Sequence, residues 1–346
     1  ENSGGGVFQD LLGIEPGQED DPGQVVRKFG LPRRHLIGLQ EELSEEVVMV
    51  VRFPPGAAGQ DELPPLSFYW RSYTFDFYTG SGWATGTTYN EEFSPSVNFH
   101  TYPLEYYQTI RQEIRVNDDL QGTLYAPGIP LSVDRDAQVF WRRTGEDLGP
   151  FKSVLTDDLY AVTIDQPVYQ VYSVLPVAGE QVLRDASPFY SRWMEDRYLQ
   201  LPGNIPQRVY DLAEELVANE YTPYDEAKAI ETYVSSFPYT LDLPEPPYDQ
   251  DVADYFLFDL QKGYCDYYAT SMAVLARAVG LPSRVVIGYS GAYYDQEDNR
   301  YLVTEADAHT WVEIYFPEVG WIPFEPTGGR SDLRPKTPEE PLPVPA

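Results

Sequence analysis

The chain of 346 residues holds one cysteine, Cys265. His309 follows it by 44 residues, and Glu325 follows the histidine by 16. A thiol, an imidazole and a carboxylate are the groups that thiol acyl transfer requires. They serve as a nucleophile, a base that takes and returns its proton, and a group that orients the base. Cys265 comes directly after Lys262-Gly263-Tyr264 and opens a run in which Tyr268, Ala269, Met272, Ala273, Ala276 and Val279 share its helical face. A thiol in the first turn of a helix meets the positive end of the helix dipole, which favours the thiolate. Backbone N–H groups at the same end can stabilise an oxyanion. Alone, such a cysteine reads as a small buried hydrophobe, and a lone His309 reads as a hydrogen-bonded structural residue. Together they read as nucleophile and base, because helix-then-strand order lets them meet.

Two carboxylates compete for the third role. Asp307 stands two residues before His309, and residues i and i+2 of a strand face the same way. Glu325 lies near the end of the next strand, where antiparallel pairing would bring it beside the histidine, and is preferred for that reason. Tyr264, Tyr267 and Trp311 are candidates to line the oxyanion or substrate site, with Tyr268 in the same aromatic cluster.

The elements that must carry these residues follow from pattern. Gly280 and Pro282 stop the cysteine helix, and Arg284–Tyr289 then reads as a strand. Thr310–Tyr315 and Trp321–Glu325 are two further strands, the last stopped by Pro326. Upstream, Val209, Leu212, Ala213, Leu216 and Val217 mark an amphipathic helix, with Asn204 as its cap and Pro206 in its first turn. Thr222 or Asp225 starts another, with Ala227, Ile230, Tyr233 and Val234 on one face. Pro188–Leu199 is a shorter helix candidate. Before residue 180 the chain reads as β: Val47–Phe53, Ser67–Phe77, Tyr106–Val116, Gln138–Arg142, Leu159–Ile164 and Val168–Leu175 are short runs broken by Gly and Pro. The expected division is an arm or linker at 1–44, a β-sandwich-like module at 45–180, an α+β domain at 181–330 and a stiff Pro-rich linker at 331–346.

Composition narrows the partners. Lys and Arg number 24 against 55 Asp and Glu, a formal charge of −31. Nucleic acid and an anionic lipid surface would repel such a chain. One cysteine forms no internal disulfide, and three histidines leave little for a metal centre, so neither metal nor cofactor is expected. The run Asp295-Gln296-Glu297-Asp298-Asn299 reads as a hairpin loop and lacks calcium-loop spacing and glycine. No stretch approaches the apolar length of a membrane span. The sequence opens on Glu1 rather than Met, as a piece of a longer chain would.

Three segments resemble known motifs in the right order over about residues 250–329. Gly263-Tyr264-Cys265-Asp266-Tyr267-Tyr268-Ala269, continuing through Leu275–Tyr289, looks like the nucleophile helix and following strand of the transglutaminase-like superfamily. Asp307-Ala308-His309-Thr310-Trp311-Val312-Glu313 resembles its histidine motif, and Gly320-Trp321-Ile322-Pro323-Phe324-Glu325-Pro326-Thr327 its third motif. Upstream, Tyr69-Trp70-Arg71, Phe75-Asp76, Tyr78 and Gly80-Ser81-Gly82-Trp83 resemble bacterial membrane-anchored members. The resemblance implies a papain-like core of helices on an antiparallel sheet. It implies Cys265 as nucleophile, His309 as base and acid, and Glu325 at the orienting position, where the family usually has Asp. It also implies an extracytoplasmic domain of a bacterial membrane protein, tethered only through segments outside this sequence.

The expected function is acyl transfer from a Gln-type carboxamide, through a Cys265 thioester, to an amine or water. Five of the basic residues are lysines, so the protein makes a poor amine acceptor itself, and its acidic surface suits Lys-rich protein or peptide partners. The alternatives are a cysteine peptidase or amidase on envelope peptides, and a catalytically weak binding module.

Overall fold

The computed structural model describes residues 31, 33–37, 43–53, 68–102, 105–142 and 158–329. Most of the acidic arm and all of the Pro-rich stretch at 331–346 lie outside these residues.

The first half is strand-rich. Its strands are β1 (Arg34–Leu36), β2 (Val47–Arg52), β3 (Tyr69–Phe75), β4 (Phe77–Tyr78), β5 (Gly82–Ala84) and β6 (Thr88–Phe93). They continue as β7 (Tyr107–Val116), β8 (Ala126–Pro127), β9 (Ile129–Val133), β10 (Ala137–Arg142), β11 (Leu159–Thr163) and β12 (Val168–Pro176). Helices α1 (Glu180–Arg184), α2 (Arg192–Tyr198), α3 (Gln207–Val217) and α4 (Pro223–Val234) follow. A helical turn at Val252–Asp254 runs into a π-helical segment, Tyr255–Leu260, before α5 (Cys265–Ala278). The last strands are β13 (Ser283–Ser290), β14 (Tyr293–Asp295), β15 (Arg300–Thr304), β16 (Ala308–Phe316) and β17 (Gly320–Phe324).

The sequence reading divides the chain at residue 180, whereas the sheets do not. The five-stranded sheet runs β17-β16-β13-β3-β8, and the six-stranded sheet β14-β15-β2-β7-β12-β9. Each joins strands from both halves, all antiparallel. Strand β2 explains its own place: Val47–Val51 is apolar on both faces and at most 5% exposed, as suits a strand inside a sheet rather than at its edge. The hydrophobic core follows suit, with Phe68 and Trp70 packing with Tyr289, Tyr301 and Val303.

Helix α5 is central. The spacing of Cys265, Tyr268, Ala269, Met272, Ala273 and Ala276 predicts one buried face, but every residue from Cys265 to Arg277 is buried. The helix is sunk between α3 and α4 on one side and β13 and β16 on the other. Its polar residues are accommodated by hydrogen bonds: Thr270 accepts from Trp83 Nε1 at 2.9 Å, and Arg277 donates to the carbonyls of Ser283, Gln200 and Asp76. At its C-terminus Gly280 takes φ +91°, and Leu281 N–H reaches back to Ala276 O at 2.8 Å, which closes the helix. Helix α4 starts as expected, with Thr222 Oγ1 accepting from Asp225 N–H. Helix α3 differs: Pro206 rather than Asn204 occupies the cap position, with no side-chain cap. Among the described residues no helix is long and apolar enough to cross a membrane.

Candidate active site

Strand register sets the imidazole. His309, second in β16, pairs with Gly288 of β13, which in turn faces Arg71 of β3. A Cβ at position 288 would lie 2.0 Å from Trp70 O, so only glycine lets β3 approach this closely. Val312 pairs with Phe324, so Glu325 falls just beyond the end of β17, beside the histidine.

His309 Nε2 and Glu325 Oε2 are 2.6 Å apart. The same carboxylate oxygen accepts from Tyr69 Oη at 2.6 Å, and Glu325 Oε1 accepts from Thr327 N–H at 3.0 Å. The backbone N–H of Glu325 donates to Glu231 Oε1 at 2.9 Å, which ties the turn to α4. Burial pushes the Glu325 carboxyl up, but the His309 charge and the bonds from His309, Thr327 and Tyr69 outweigh it and hold the carboxyl below its usual range. When the ring is neutral, an ionised Glu325 requires its hydrogen on Nε2, which leaves the Nδ1 lone pair as the acceptor. His309 Nδ1 is buried and has no hydrogen-bond partner. Asp307, the competing carboxylate, is engaged elsewhere: its Oδ2 accepts from Thr304 N–H and Oγ1 at 2.8 and 3.0 Å and caps a short turn.

Cys265 is the first residue of α5, with Tyr264 as its cap, and is 4% exposed. Its thiol lies 3.9 Å from Asp266 Oδ1. That oxygen also accepts from Thr310 Oγ1 at 2.5 Å. The residue after the cysteine is therefore bonded to the residue after the histidine, which locks the start of α5 to the start of β16. Asp266 Oδ2 meets His35 Nε2 at 2.9 Å.

The aromatic candidates are buried: Tyr264, Tyr267 and Trp311 are 3%, 1% and 2% exposed, and Trp311 lines a small cavity with Tyr69, Arg71, Glu313 and Trp321. Tyr264 packs edge-on to Tyr267, Tyr267 stacks on Phe256, and Trp311 packs against Tyr69 beside the His309 ring. Tyr264 and Tyr267 thus pack around the start of the sunken helix, and Trp311 and Tyr69 lie beside the imidazole. Tyr268 Oη donates to Phe237 O at 2.7 Å.

Asp266, Thr310, Tyr69, His35 and Glu231 escaped the sequence reading. In the sequence only adjacency to the thiol marks Asp266. Tyr69 and His35 reach the site from 256 and 231 residues away, a separation that carries no periodic signal. The acidic run at 295–299 is the β14–β15 hairpin, and Arg300 pairs with Asp295 and Asp298 at 2.9 and 2.8 Å. Among the described residues no group of three or more His, Cys, Asp or Glu is placed to hold a metal ion.

Cys265, His309 and Glu325 lie within a recognised unit. The model of the transglutaminase-like superfamily matches residues 210–326, so the chain carries a transglutaminase-like domain there. The uncharacterized protein YebA of Bacillus subtilis (strain 168) is 33% identical over 298 residues, which is 79% of this chain and 40% of YebA. A protein-glutamine gamma-glutamyltransferase of Pseudomonas aeruginosa is 30% identical over 286 residues, 82% of this chain and 38% of its own length. The chain thus spans about two fifths of these curated relatives. The crystal structure of the periplasmic domain of TgpA from Pseudomonas aeruginosa is similar with a TM-score of 0.60 and 26% identity, covering 86% of this chain and 94% of that domain. The same domain bound to ethylmercury gives 0.59 and 28%, covering 82% and 90%.

Proposed function

We propose that this chain is a thiol acyltransferase acting on protein or peptide carboxamides, in an extracytoplasmic domain of a bacterial membrane protein. The observation that carries this reading is the buried, unpartnered Nδ1 of a histidine whose Nε2 is held by Glu325. Such an imidazole is poised to accept a proton, and the Asp266–Thr310 bond holds the thiol-bearing helix end against its strand. The named relative and the TgpA periplasmic domain support the reaction class and the compartment.

The chemistry balances as follows. His309 Nδ1 takes the Cys265 proton as sulfur bonds to the carboxamide carbon. The carbon–nitrogen bond then breaks, and the imidazolium returns the proton to the leaving nitrogen, releasing ammonia and a thioester. An amine attacks the thioester and passes a proton to His309, which restores the thiol as the carbon–sulfur bond breaks. The positive end of α5 stabilises the negative oxygen formed in each half. Glu325 keeps its charge throughout, orienting the ring and stabilising the imidazolium.

Incubation with a Gln-donor peptide and a fluorescent primary amine, beside a Cys265→Ala control, tests the proposal. Amine incorporation that the control lacks is expected. Peptide cleavage or deamidation without incorporation would make the protein a hydrolase. No reaction of any kind would leave it a binding module.

A further inference from the structure

Asp266 lies against the thiol and half-buried His35 lies against Asp266, and neither exchanges a proton in the reaction just described. Asp266 places Oδ1 3.9 Å from the Cys265 sulfur, while Oδ2 meets His35 Nε2 at 2.9 Å. The two side chains are 14% and 11% exposed. A carboxylate so close to sulfur opposes thiolate formation, because two anions repel each other strongly where water is scarce. A nucleophile with such a neighbour needs its charge balanced.

We propose that His35 is a positioning residue of the thiol site, whose imidazolium pairs with Asp266, cancels that repulsion and lets Cys265 ionise near neutral pH. The inference rests on Cys265 being the nucleophile. Strand β1 delivers the group: His35 pairs in register with Trp83 of β5, and its ring packs near Phe75 of β3. Neither of those neighbours titrates. The charged group facing His35 from α5 is Asp266, on which His309 of β16 also acts. On β1 itself Arg34 is exposed, and neighbouring Arg33 turns to Gly86 O and the Tyr160 ring. Burial disfavours the His35 cation, but the charge and hydrogen bond of Asp266 prevail and hold the imidazole above its usual value. Asp266 is held low in return, against its own burial, by His35 first and then by Thr310 and His309.

With a single cysteine in the chain, iodoacetamide alkylation reports Cys265 alone. Rates are measured across about pH 5–9 on wild type, on His35→Gln, which keeps a donor but loses the charge, and on His35→Gln/Asp266→Asn. The His35→Gln profile should move about one pH unit upward, slowing alkylation near neutrality about tenfold. Removing the Asp266 charge as well should restore the rate. A His35→Gln profile superposed on a reactive wild type overturns this inference alone. A double variant as slow as the single one overturns it too, since His35 would then act through packing. A wild-type thiol inert near neutrality overturns both this inference and the acyl-transfer reading.

Discussion

Tyr69 Oη stands 2.6 Å from Glu325 Oε2, the same oxygen that His309 Nε2 meets at 2.6 Å. A residue of β3 thus fixes the carboxylate that fixes the imidazole, although it lies outside residues 210–326. Glutamate has one more rotatable bond than aspartate, and three donors hold its two oxygens in one orientation.

Tyr69→Phe removes one of those donors and changes nothing else in shape. A hydrogen bond to a charged group contributes about 1.5–3 kcal/mol, so kcat should fall about 10- to 150-fold. The acid limb of the pH–rate profile should shift upward, because a carboxylate with fewer donors protonates more readily. Steady-state amine incorporation at several pH values checks both effects, and a fall in rate with an unmoved acid limb would assign Tyr69 a packing role.

Glu325→Gln keeps the volume and removes the charge. The ring then keeps at most a neutral carbonyl acceptor, which an NH2 can replace in the wrong orientation, and loses the anionic partner of its protonated form, so kcat should drop about 10²–10⁴-fold with little change in KM. A drop confined to KM in the same assay would place Glu325 in substrate binding instead.

Acid stability should carry the mark of the same carboxylate. The folded-state value of Glu325 lies below the unfolded one. Its contribution to stability is therefore full above the unfolded value, about 4.3, and is lost as pH falls through the folded value. His35 has the opposite sign: its folded value is raised, so its contribution is full below about 6.5 and fades as pH rises through the folded value. Melting temperatures across pH should fall less steeply toward acid in Glu325→Gln than in wild type, and less steeply above neutrality in His35→Gln.

Gly288→Ala tests the junction of β3 with β13. The added methyl would meet Trp70 O at 2.0 Å and force the strands apart beneath His309. Overpacking of this kind costs on the order of 1–3 kcal/mol, and backbone leaves little room to yield. Denaturant unfolding should show that loss, accompanied by a lower kcat.

Much of the catalytic half is legible in sequence because its signals are local. The 3.6-residue period marks α5, Gly280 and Pro282 end it, composition marks β13 and alternation marks β16. Strand geometry favours Glu325 over Asp307, and Glu325 meets the ring while Asp307 caps a turn. What escaped depends on tertiary register. His35 and Tyr69 reach the site only because β1 pairs with β5 and β3 with β13, pairings that no spacing encodes. Nor does spacing show how deeply Tyr264, Tyr267 and Trp311 are buried, which follows from the enclosure of α5 and β16. Residue 180 looked like a boundary because helices begin there, yet hydrogen bonding carries both large sheets across it.

The central claim is a covalent acyl-enzyme on Cys265, and intact-mass measurement tests it most directly. Protein mixed with a Gln-donor peptide, without amine, is quenched in acid during turnover and weighed. The account predicts an adduct of the peptide mass less one ammonia, located on Cys265, released by hydroxylamine and absent from Cys265→Ala. Product formation with no adduct on Cys265, or an adduct that persists in Cys265→Ala, would contradict it.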